Sequence, residues 1–194
     1  MKYLIVGLGN PTAEYEQTRH NIGYMVLDNY VRLLNNEDSS WQYKFSLERH
    51  AFICETKHKG RTIILAKPTT FMNLSGKAVR YWLDKEKIPL DNMLIVVDDL
   101  ALDTGVLRIR LSGGAGGHNG LTDIIESIGT NKFNRLRFGI GNNYPKGRQV
   151  DYVLSKFDAA EMELISPKLD VCSDIIKSFS IIGIDRTMNT FNGK

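Results

Sequence analysis

The sequence is poor in cysteine and has no long apolar run. Its two cysteines, Cys54 and Cys172, lie far apart without paired spacing, which argues against a disulfide scaffold and a thiolate metal site. No run approaches the roughly 18 apolar residues that a membrane-spanning helix needs. The apolar part of the opening "MKYLIVGLGNPTAEY" is too short for a secretion signal. These absences predict a cytosolic protein without disulfides or a membrane span.

No repeat, linker or low-complexity segment divides the chain. With 194 residues it is long enough to bury one substantial core and short for two. Hydrophobic residues make up 42% and charged residues 24%, a composition typical of globular domains and not of disordered chains. Residues 1–194 are therefore predicted to form one domain.

Several common catalytic and nucleotide-binding motifs are also missing. The sequence has no Gly-x-Ser-x-Gly and no His-Glu-x-x-His, which disfavours a serine nucleophile and a zinc site. The glycine-rich stretch "LSGGAGGHNGLTDII" lacks the Gly-Lys-Ser/Thr that binds a triphosphate. The segment 7–12 begins like a dinucleotide fingerprint, but Thr12 replaces its third glycine. A dinucleotide-dependent oxidoreductase is thus a minor alternative, and no metal or cofactor is predicted.

Apolar residues recur with two different periods. Nearly continuous apolar runs, typical of strands buried on both faces, are "KYLIVGLGN" and "NMLIVVDDL". Helical spacing occurs from Ile22 to Leu34 and again from Ala78 to Leu83. Strand and helix patterns alternate along the chain. This predicts an α/β fold, a single domain with a twisted, mixed and largely parallel sheet flanked by helices.

Other segments complete this outline. Strand-like runs on either side of residues 58–60 predict a hairpin, and "GVLRIRLS" and "NRLRFGIG" alternate like strands. A helix is expected over 119–128, with Asn119 as its N-cap. The tail over 159–189 has a helical pattern, with interruptions expected at Pro167 and Gly183.

Polar residues follow several of the predicted strands. Ligands of parallel sheets collect beyond the carboxyl ends of the strands. The residues expected near this edge are Asn10, His20, Met72, Asn73, Asp98, His118 and Asn119. Of these, His118 and Asn119 reach it only if the chain returns there after "GVLRIRLS". The sequence therefore predicts a polar site at one edge of the sheet.

His20 and Asp98 are the candidates for acid–base chemistry. A neutral imidazole accepts a proton near neutral pH, and a neighbouring carboxylate fixes its tautomer and stabilises the imidazolium. The amides of Asn10, Asn73 and Asn119 are able to hold a carbonyl or an adjacent backbone. Because the sequence indicates no covalent nucleophile, His20 and Asp98 predict a base that activates water directly.

Two features keep alternative interpretations open. The glycines over 113–117 either lie flat against a bulky ligand or form a plain strand-to-helix connection. Between residues 105 and 148, seven basic residues face two acidic ones, which suits a phosphate-bearing partner or a solvated basic surface. A non-catalytic RNA-binding protein would keep the basic surface but needs neither His20 nor Asp98.

Five segments, taken in order, resemble the bacterial-type peptidyl-tRNA hydrolases. They are "LIVGLGNPTAEYEQTRHNIG", "KPTTFMNLSGKAV", "LIVVDDL", "GGAGGHNGLTDII" and "NRLRFGIG". Together they span most of the chain. The resemblance implies an enzyme that cleaves the ester between a peptide and the terminal ribose of tRNA, releasing both. It also implies a monomer that works without metal or cofactor.

The resemblance further implies roles for individual residues. His20 is the base that activates water, and Asp98 is its orienting partner. Asn10 and Asn73 bind the scissile region and the peptide backbone. The residues implied to shape the groove or to place water and peptide main chain are Tyr15, Met72, Gly117, His118 and Asn119.

Two arginines and two departures complete the comparison with the family pattern. Arg110 and Arg137 match positions that grip tRNA phosphate, a task that suits the guanidinium fork. Ala101 stands where an acid is common, and the proline that usually follows is missing. Ala115 stands where a polar residue or histidine is frequent. Neither departure removes a proposed catalytic group.

Overall fold

A seven-stranded mixed sheet forms the centre of the computed structural model, which describes residues 1–37 and 40–193. The strand order is β2-β3-β4-β1-β5-β7-β6. The strands are β1 (Lys2–Gly7), β2 (Ser46–Glu48), β3 (Ala51–His58), β4 (Arg61–Pro68), β5 (Met93–Asp99), β6 (Leu107–Arg110) and β7 (Asn134–Gly139).

The four central strands are parallel, and the edges are antiparallel. β1 pairs with β4 and β5, and β5 pairs with β7, all in parallel. β6 runs antiparallel to β7, and β2 and β3 extend the other edge in antiparallel register. The predicted α/β fold with a mixed, largely parallel sheet is confirmed, as is the hairpin around residues 58–60, which joins β3 to β4.

Helices cover both faces of the sheet. They are α1 (Ile22–Glu37), α2 (Ser75–Glu86), α3 (Asn119–Ile128), α4 (Gln149–Val153), α5 (Ala159–Ile182) and α6 (Ile184–Phe191). One core packs α1 and α5 against Ile5 and Val96, and the other packs α2 and α3 against Val6 and Ile95. Alternate residues of β1 and β5 thus enter opposite cores. This explains why their sequences are apolar almost without interruption.

Two details of the helices differ from the prediction. The N-cap of α3 is His118, because its ring nitrogen Nδ1 accepts the N–H groups of Gly120 and Leu121, and Asn119 is already the first helical residue. α5 runs through Pro167 without a break. Pro167 is exposed there, so the carbonyl that its missing N–H leaves unpaired lies on the solvent side of the helix. Gly183 ends α5 as expected.

The parallel register determines where loops meet. The carboxyl ends of β1, β4, β5 and β7 lie at one edge of the sheet, and the loops that follow them converge there. Within residues 1–37 and 40–193, no helix is both long and apolar enough to cross a lipid bilayer.

Candidate active site

A cleft of about 910 Å³ opens where these loops converge. Its walls come from the segment before α2, the glycine-rich loop before α3, and the arginines of β6 and β7. Of the residues singled out from the sequence, those that line it are Asn10, His20, Met72, Asn73, Asp98, Arg110, Gly117, His118, Asn119 and Arg137. Tyr15 is not brought to this cleft. It lies half-buried at the end of the turn Ala13–Tyr15, outside the residues that line the cleft.

His20 and Asp98 are in direct contact at the floor of the cleft. His20 lies in a single 3-10 turn, Arg19–Asn21, directly before α1, and Asp98 is the penultimate residue of β5. The imidazole Nδ1 is 2.9 Å from Asp98 Oδ2 and 3.1 Å from Oδ1. The carboxylate is buried, and 12% of the His20 side chain is exposed to the cleft. The contact predicted between residues 78 positions apart is therefore present.

His118 is a second histidine on the same carboxylate. Its Nε2 lies 2.8 Å from Asp98 Oδ1, on the other oxygen from the closer His20 contact. The sequence pattern places His118 near the site but does not connect it to Asp98. No spacing signal indicates this contact, since it depends on how the glycine-rich loop returns to the sheet.

The hydrogen bonds assign a tautomer to each ring. In His118, Nδ1 accepts the N–H of Gly120 at 3.1 Å, so Nε2 carries the proton that it donates to Asp98. In His20, Nδ1–H donates to Asp98, which leaves Nε2 with its lone pair. Within the described part of the chain no hydrogen bond engages His20 Nε2. Only His20 therefore keeps a ring nitrogen available to take a proton from a molecule in the cleft.

Asp98 stays ionised at this position. Burial opposes its negative charge, but the electrostatic attraction of the His118 and His20 rings and the hydrogen bonds that both rings donate outweigh burial. Together they hold the pKa of the carboxyl well below its ordinary value. An ionised Asp98 is able to stabilise an imidazolium at His20.

His20, Asp98 and His118 also have the residue types of a metal site. Their ligand atoms lie within 4.8 Å of one another. However, a nitrogen that binds a metal must present a lone pair. In His118 the backbone N–H groups occupy the lone pair of Nδ1, so Nε2 carries the proton and has no lone pair to offer a metal. The three residues fit a hydrogen-bonded cluster better than a metal centre.

Arg19 anchors the turn that carries His20. Its guanidinium donates to Ser155 Oγ at 2.5 Å, to the Lys156 carbonyl at 2.7 Å and to both carboxylate oxygens of Glu161. Glu161 in turn belongs to the capping box at the start of α5. The histidine is thus held from the C-terminal part of the chain, by a contact that no local pattern in the sequence indicates.

Asn10 joins the first loop to the segment before α2. Its side-chain Oδ1 accepts the Met72 N–H at 2.8 Å, and its backbone exchanges two hydrogen bonds of 2.9 Å with the Asn21 side chain. With Oδ1 engaged, the side-chain NH₂ is the group left to donate. Asn73, the next residue after Met72, is exposed on the same wall.

Glycines of the loop before α3 and of α3 itself serve two different purposes. Gly116 and Gly117 have φ of 58° and 80°, and an added Cβ at either would meet nothing within 4 Å. These two serve the backbone conformation and leave the cleft open. Gly120 is different, because a Cβ there would lie 2.7 Å from Met72 Sδ and 3.1 Å from His118 Cε1. No signal in the sequence distinguishes Gly120 from the other glycines of this stretch.

Arginines from β6 and β7 form the basic wall. Arg110 is exposed, and Arg137 donates through Nε to the Asp99 carboxylate. Arg135 is buried, with its terminal nitrogens 2.9 Å from the Gly114 carbonyl and 3.2 Å from the Asn131 carbonyl. Burial and the charge of Arg137 lower the pKa of Arg135 from its ordinary value. Arg135 therefore supports the glycine-rich loop from beneath.

The two departures from the family pattern are alanines that are exposed or half-buried. Ala101 is exposed. Its backbone N–H donates to Asp99 Oδ1 at 2.8 Å, a contact that needs no particular side chain. Ala115 is half-buried against the core beneath α2 and α3. Neither alanine touches His20 or Asp98 through a hydrogen bond in the described residues.

The fold and the cleft define an α/β protein with a His–Asp pair at the carboxyl edge of its parallel strands. A model of the peptidyl-tRNA hydrolase family matches residues 4–194. Peptidyl-tRNA hydrolases of Cytophaga hutchinsonii and Bacteroides fragilis are each 52% identical over 194 residues, which is 100% of this chain and 100% of each relative.

Solved structures agree with the sequence relatives. The crystal structure of peptidyl-tRNA hydrolase from Acinetobacter baumannii aligns with a TM-score of 0.87 and 34% identity, covering 98% of this chain and 94% of that one. A peptidyl-tRNA hydrolase in complex with n-propanol gives the same values. The chain belongs to the peptidyl-tRNA hydrolase family and is an ester hydrolase acting on peptidyl-tRNA.

Proposed function

We propose that this chain hydrolyses the ester between peptide and tRNA with water that His20 activates. The observation that carries the proposal is the tautomer assignment, since of the two histidines on Asp98 only His20 keeps a free ring nitrogen. That nitrogen belongs to a residue lining a cleft large enough for the end of a peptidyl-tRNA.

The reaction proceeds in two proton transfers. His20 Nε2 takes a proton from water as the oxygen attacks the ester carbonyl, which gives a tetrahedral intermediate and an imidazolium. Asp98 stabilises that imidazolium through the Nδ1–H hydrogen bond. When the intermediate collapses, the bond to the ribose oxygen breaks and the imidazolium returns its proton to that oxygen. The products are a tRNA with a free terminal hydroxyl and a peptide carboxylic acid, which releases its remaining proton to solvent.

Amide groups position the substrate around this base. The side-chain NH₂ of Asn10 is free to donate to a carbonyl oxygen, because its Oδ1 is held by Met72. Asn73 binds the peptide backbone from the same wall, and Asn119, beside Gly117, helps to place the attacking water or the peptide main chain. Donors fixed before the reaction stabilise developing negative charge most effectively.

The basic wall binds the nucleic acid. Arg110 and Arg137 contact tRNA phosphates, and each guanidinium offers paired N–H groups to a phosphate. We further expect a monomer in the cytosol that needs neither metal nor cofactor, and whose only substrate partner is peptidyl-tRNA.

The test is an ester-hydrolysis assay with N-acetyl-aminoacyl-tRNA. The expected result is release of deacylated tRNA with a chelator present and no added metal, at a rate unchanged from the untreated protein. Free aminoacyl-tRNA serves as the comparison substrate. Tight binding of N-acetyl-aminoacyl-tRNA without release of tRNA would overturn the proposal and favour the non-catalytic RNA-binding alternative.

A further inference from the structure

Four arginines share one face of the sheet at the basic wall. In the antiparallel pair of β6 and β7, Arg108 lies opposite Arg137, and Arg110 lies opposite Arg135. Directly opposite residues of an antiparallel pair project from the same face, and like charges in that arrangement repel. We call these four residues the arginine face. Its side chains need either a counter-charge or a fixed orientation that keeps them apart.

Asp99 supplies that counter-charge. In the parallel pair of β5 and β7, Val97 is the partner of Arg137, so Asp99, two residues further, points to the same side as Arg137. Its Oδ2 accepts from Arg137 Nε, and its Oδ1 accepts the Ala101 N–H at 2.8 Å. Among residues 1–37 and 40–193, no other carboxylate forms an ion pair with a member of the arginine face.

The contact at Nε determines what Arg137 is able to bind. A guanidinium has five N–H groups in a rigid plane, and only one of them is on Nε. With Nε–H on Asp99, the four N–H groups of the two terminal nitrogens make no hydrogen bond within the described part of the chain and are available to two oxygens of one phosphate. The Arg137 side chain is 27% exposed and lines the cleft, so a phosphate is able to reach it.

Orientation before binding lowers the cost of binding. A long side chain that is free in solution loses rotamer entropy when a ligand immobilises it, and a partner that already holds it removes that loss. Asp99 is itself held by the backbone of the loop that follows β5, through Ala101. The Arg137 guanidinium is therefore fixed from the sheet and from the loop together.

We propose that Asp99 is a positioning residue that holds Arg137 in the orientation that binds a tRNA phosphate. The proposal rests on the phosphate-binding role of Arg137 in the proposed function. It gives the two adjacent carboxylates different tasks, since Asp98 orients the base and Asp99 orients the phosphate ligand.

The direction in which KM changes when Asp99 is removed distinguishes a positioning role from a simple effect of net charge. Removing a carboxylate beside a polyanion strengthens binding if only net charge matters. If Asp99 positions Arg137, the same change weakens binding. In Asp99→Ala, we expect the KM for N-acetyl-aminoacyl-tRNA to rise about five- to tenfold while kcat changes by less than about twofold. Asp99→Asn, whose amide oxygen still accepts from Nε, is expected to show a smaller rise and guards against a folding defect in the alanine variant.

Asp103→Ala is the matched control. Asp103 is an exposed carboxylate in the same loop, so its loss changes the net charge equally without an Arg137 contact. Its KM is expected to stay the same or to fall. In an Arg137→Ala background, Asp99→Ala is expected to raise KM no further, because the side chain that it positions is absent.

Three outcomes would overturn the proposal. If Asp99→Ala lowers KM as Asp103→Ala does, the effect is one of net charge alone. An equal rise in KM with and without Arg137 would show that Asp99 acts elsewhere. If Arg137→Ala alone leaves both KM and its salt dependence unchanged, the phosphate-binding role of Arg137 fails, and the positioning role fails with it. The last outcome is read from the single variant and is thus distinguishable from the other two.

Discussion

Nε2 of His118 lies 2.8 Å from Oδ1 of Asp98, while Nδ1 of His20 lies 2.9 Å from Oδ2. One carboxylate thus holds two histidines. In His118 the N-cap contacts occupy Nδ1, so its Nε2–H is a donor and neither ring nitrogen is left to accept a proton. Two rings of the same chemical type in one cleft therefore differ in what they are able to do, and the difference comes from backbone N–H groups of α3.

His20→Ala should lower kcat by about 10² to 10⁴, the usual contribution of a positioned base, with little change in affinity for deacylated tRNA. His118→Ala should cost less, since the free nitrogen of His20 remains. Single-turnover hydrolysis of N-acetyl-aminoacyl-tRNA measures the loss of rate in both variants. The control is His58→Ala, a change in the β3–β4 hairpin. Equal losses in the two cleft variants would contradict the assignment of the base.

Arg110→Ala should weaken binding of peptidyl-tRNA and flatten its dependence on salt. Each lost phosphate contact lowers the slope of log Kd against log salt by roughly 0.7 to 0.9. Titrations of deacylated tRNA between low and moderate salt give the slope. Lys57→Ala, which removes an exposed cation on β3, is the control. A slope that Arg110→Ala leaves intact would place the nucleic acid on another surface.

Gly120→Ala should lower both stability and turnover. Its Cβ would enter the space of Met72 Sδ, 2.7 Å away, and press on the His118 ring, so Met72, His118 or both must shift. Overpacking of this kind costs about 1 to 3 kcal/mol of unfolding free energy. Gly114→Ala is the matched control, because a Cβ there meets nothing within 4 Å. Thermal unfolding and kcat measure the effect, and similar behaviour of the two variants would refute the packing argument.

Asp98→Asn should lose stability in a pH-dependent way. The Asp98 pKa is lowered in the folded state, where its interactions with His118 and His20 outweigh burial, so the carboxylate stabilises the fold above its unfolded pKa of about 3.9. As the pH falls below that value, the unfolded chain takes up the proton first and this stabilisation fades. The difference in unfolding free energy between wild type and Asp98→Asn is thus expected to be largest above about pH 4 and to shrink towards pH 2.

Chemical denaturation at a series of pH values measures this difference. Asp91→Asn, which removes an exposed carboxylate, is the control and should differ little from wild type throughout. A gap between wild type and Asp98→Asn that widens as the pH falls would contradict the prediction.

Much of the fold was predictable because its patterns are local. β1 and β5 are apolar at nearly every position, which indicates burial on both faces, and the β3–β4 hairpin follows from a turn between two strand-like runs. The N-cap of α3 predicted at Asn119 is one residue too late, because asparagine is the commoner cap. Only the position of the His118 ring shows that His118 is the N-cap. The interruption expected at Pro167 is wrong because a long helix accommodates a proline on its exposed side.

The sequence by itself determined the alternation of strands and helices, the sheet edge at which a site would form, and His20 and Asp98 as its candidate base and carboxylate, since these follow from period, burial and residue type. Only the tertiary structure decided that His118 shares Asp98, that Arg19 is bound to Glu161, that Asp99 holds Arg137, and that Tyr15 stays outside the cleft. The reason is physical. Periodicity reports which face of an element is buried, whereas the hydrogen bonds of a site depend on how separate elements pack, and no local pattern encodes those distances.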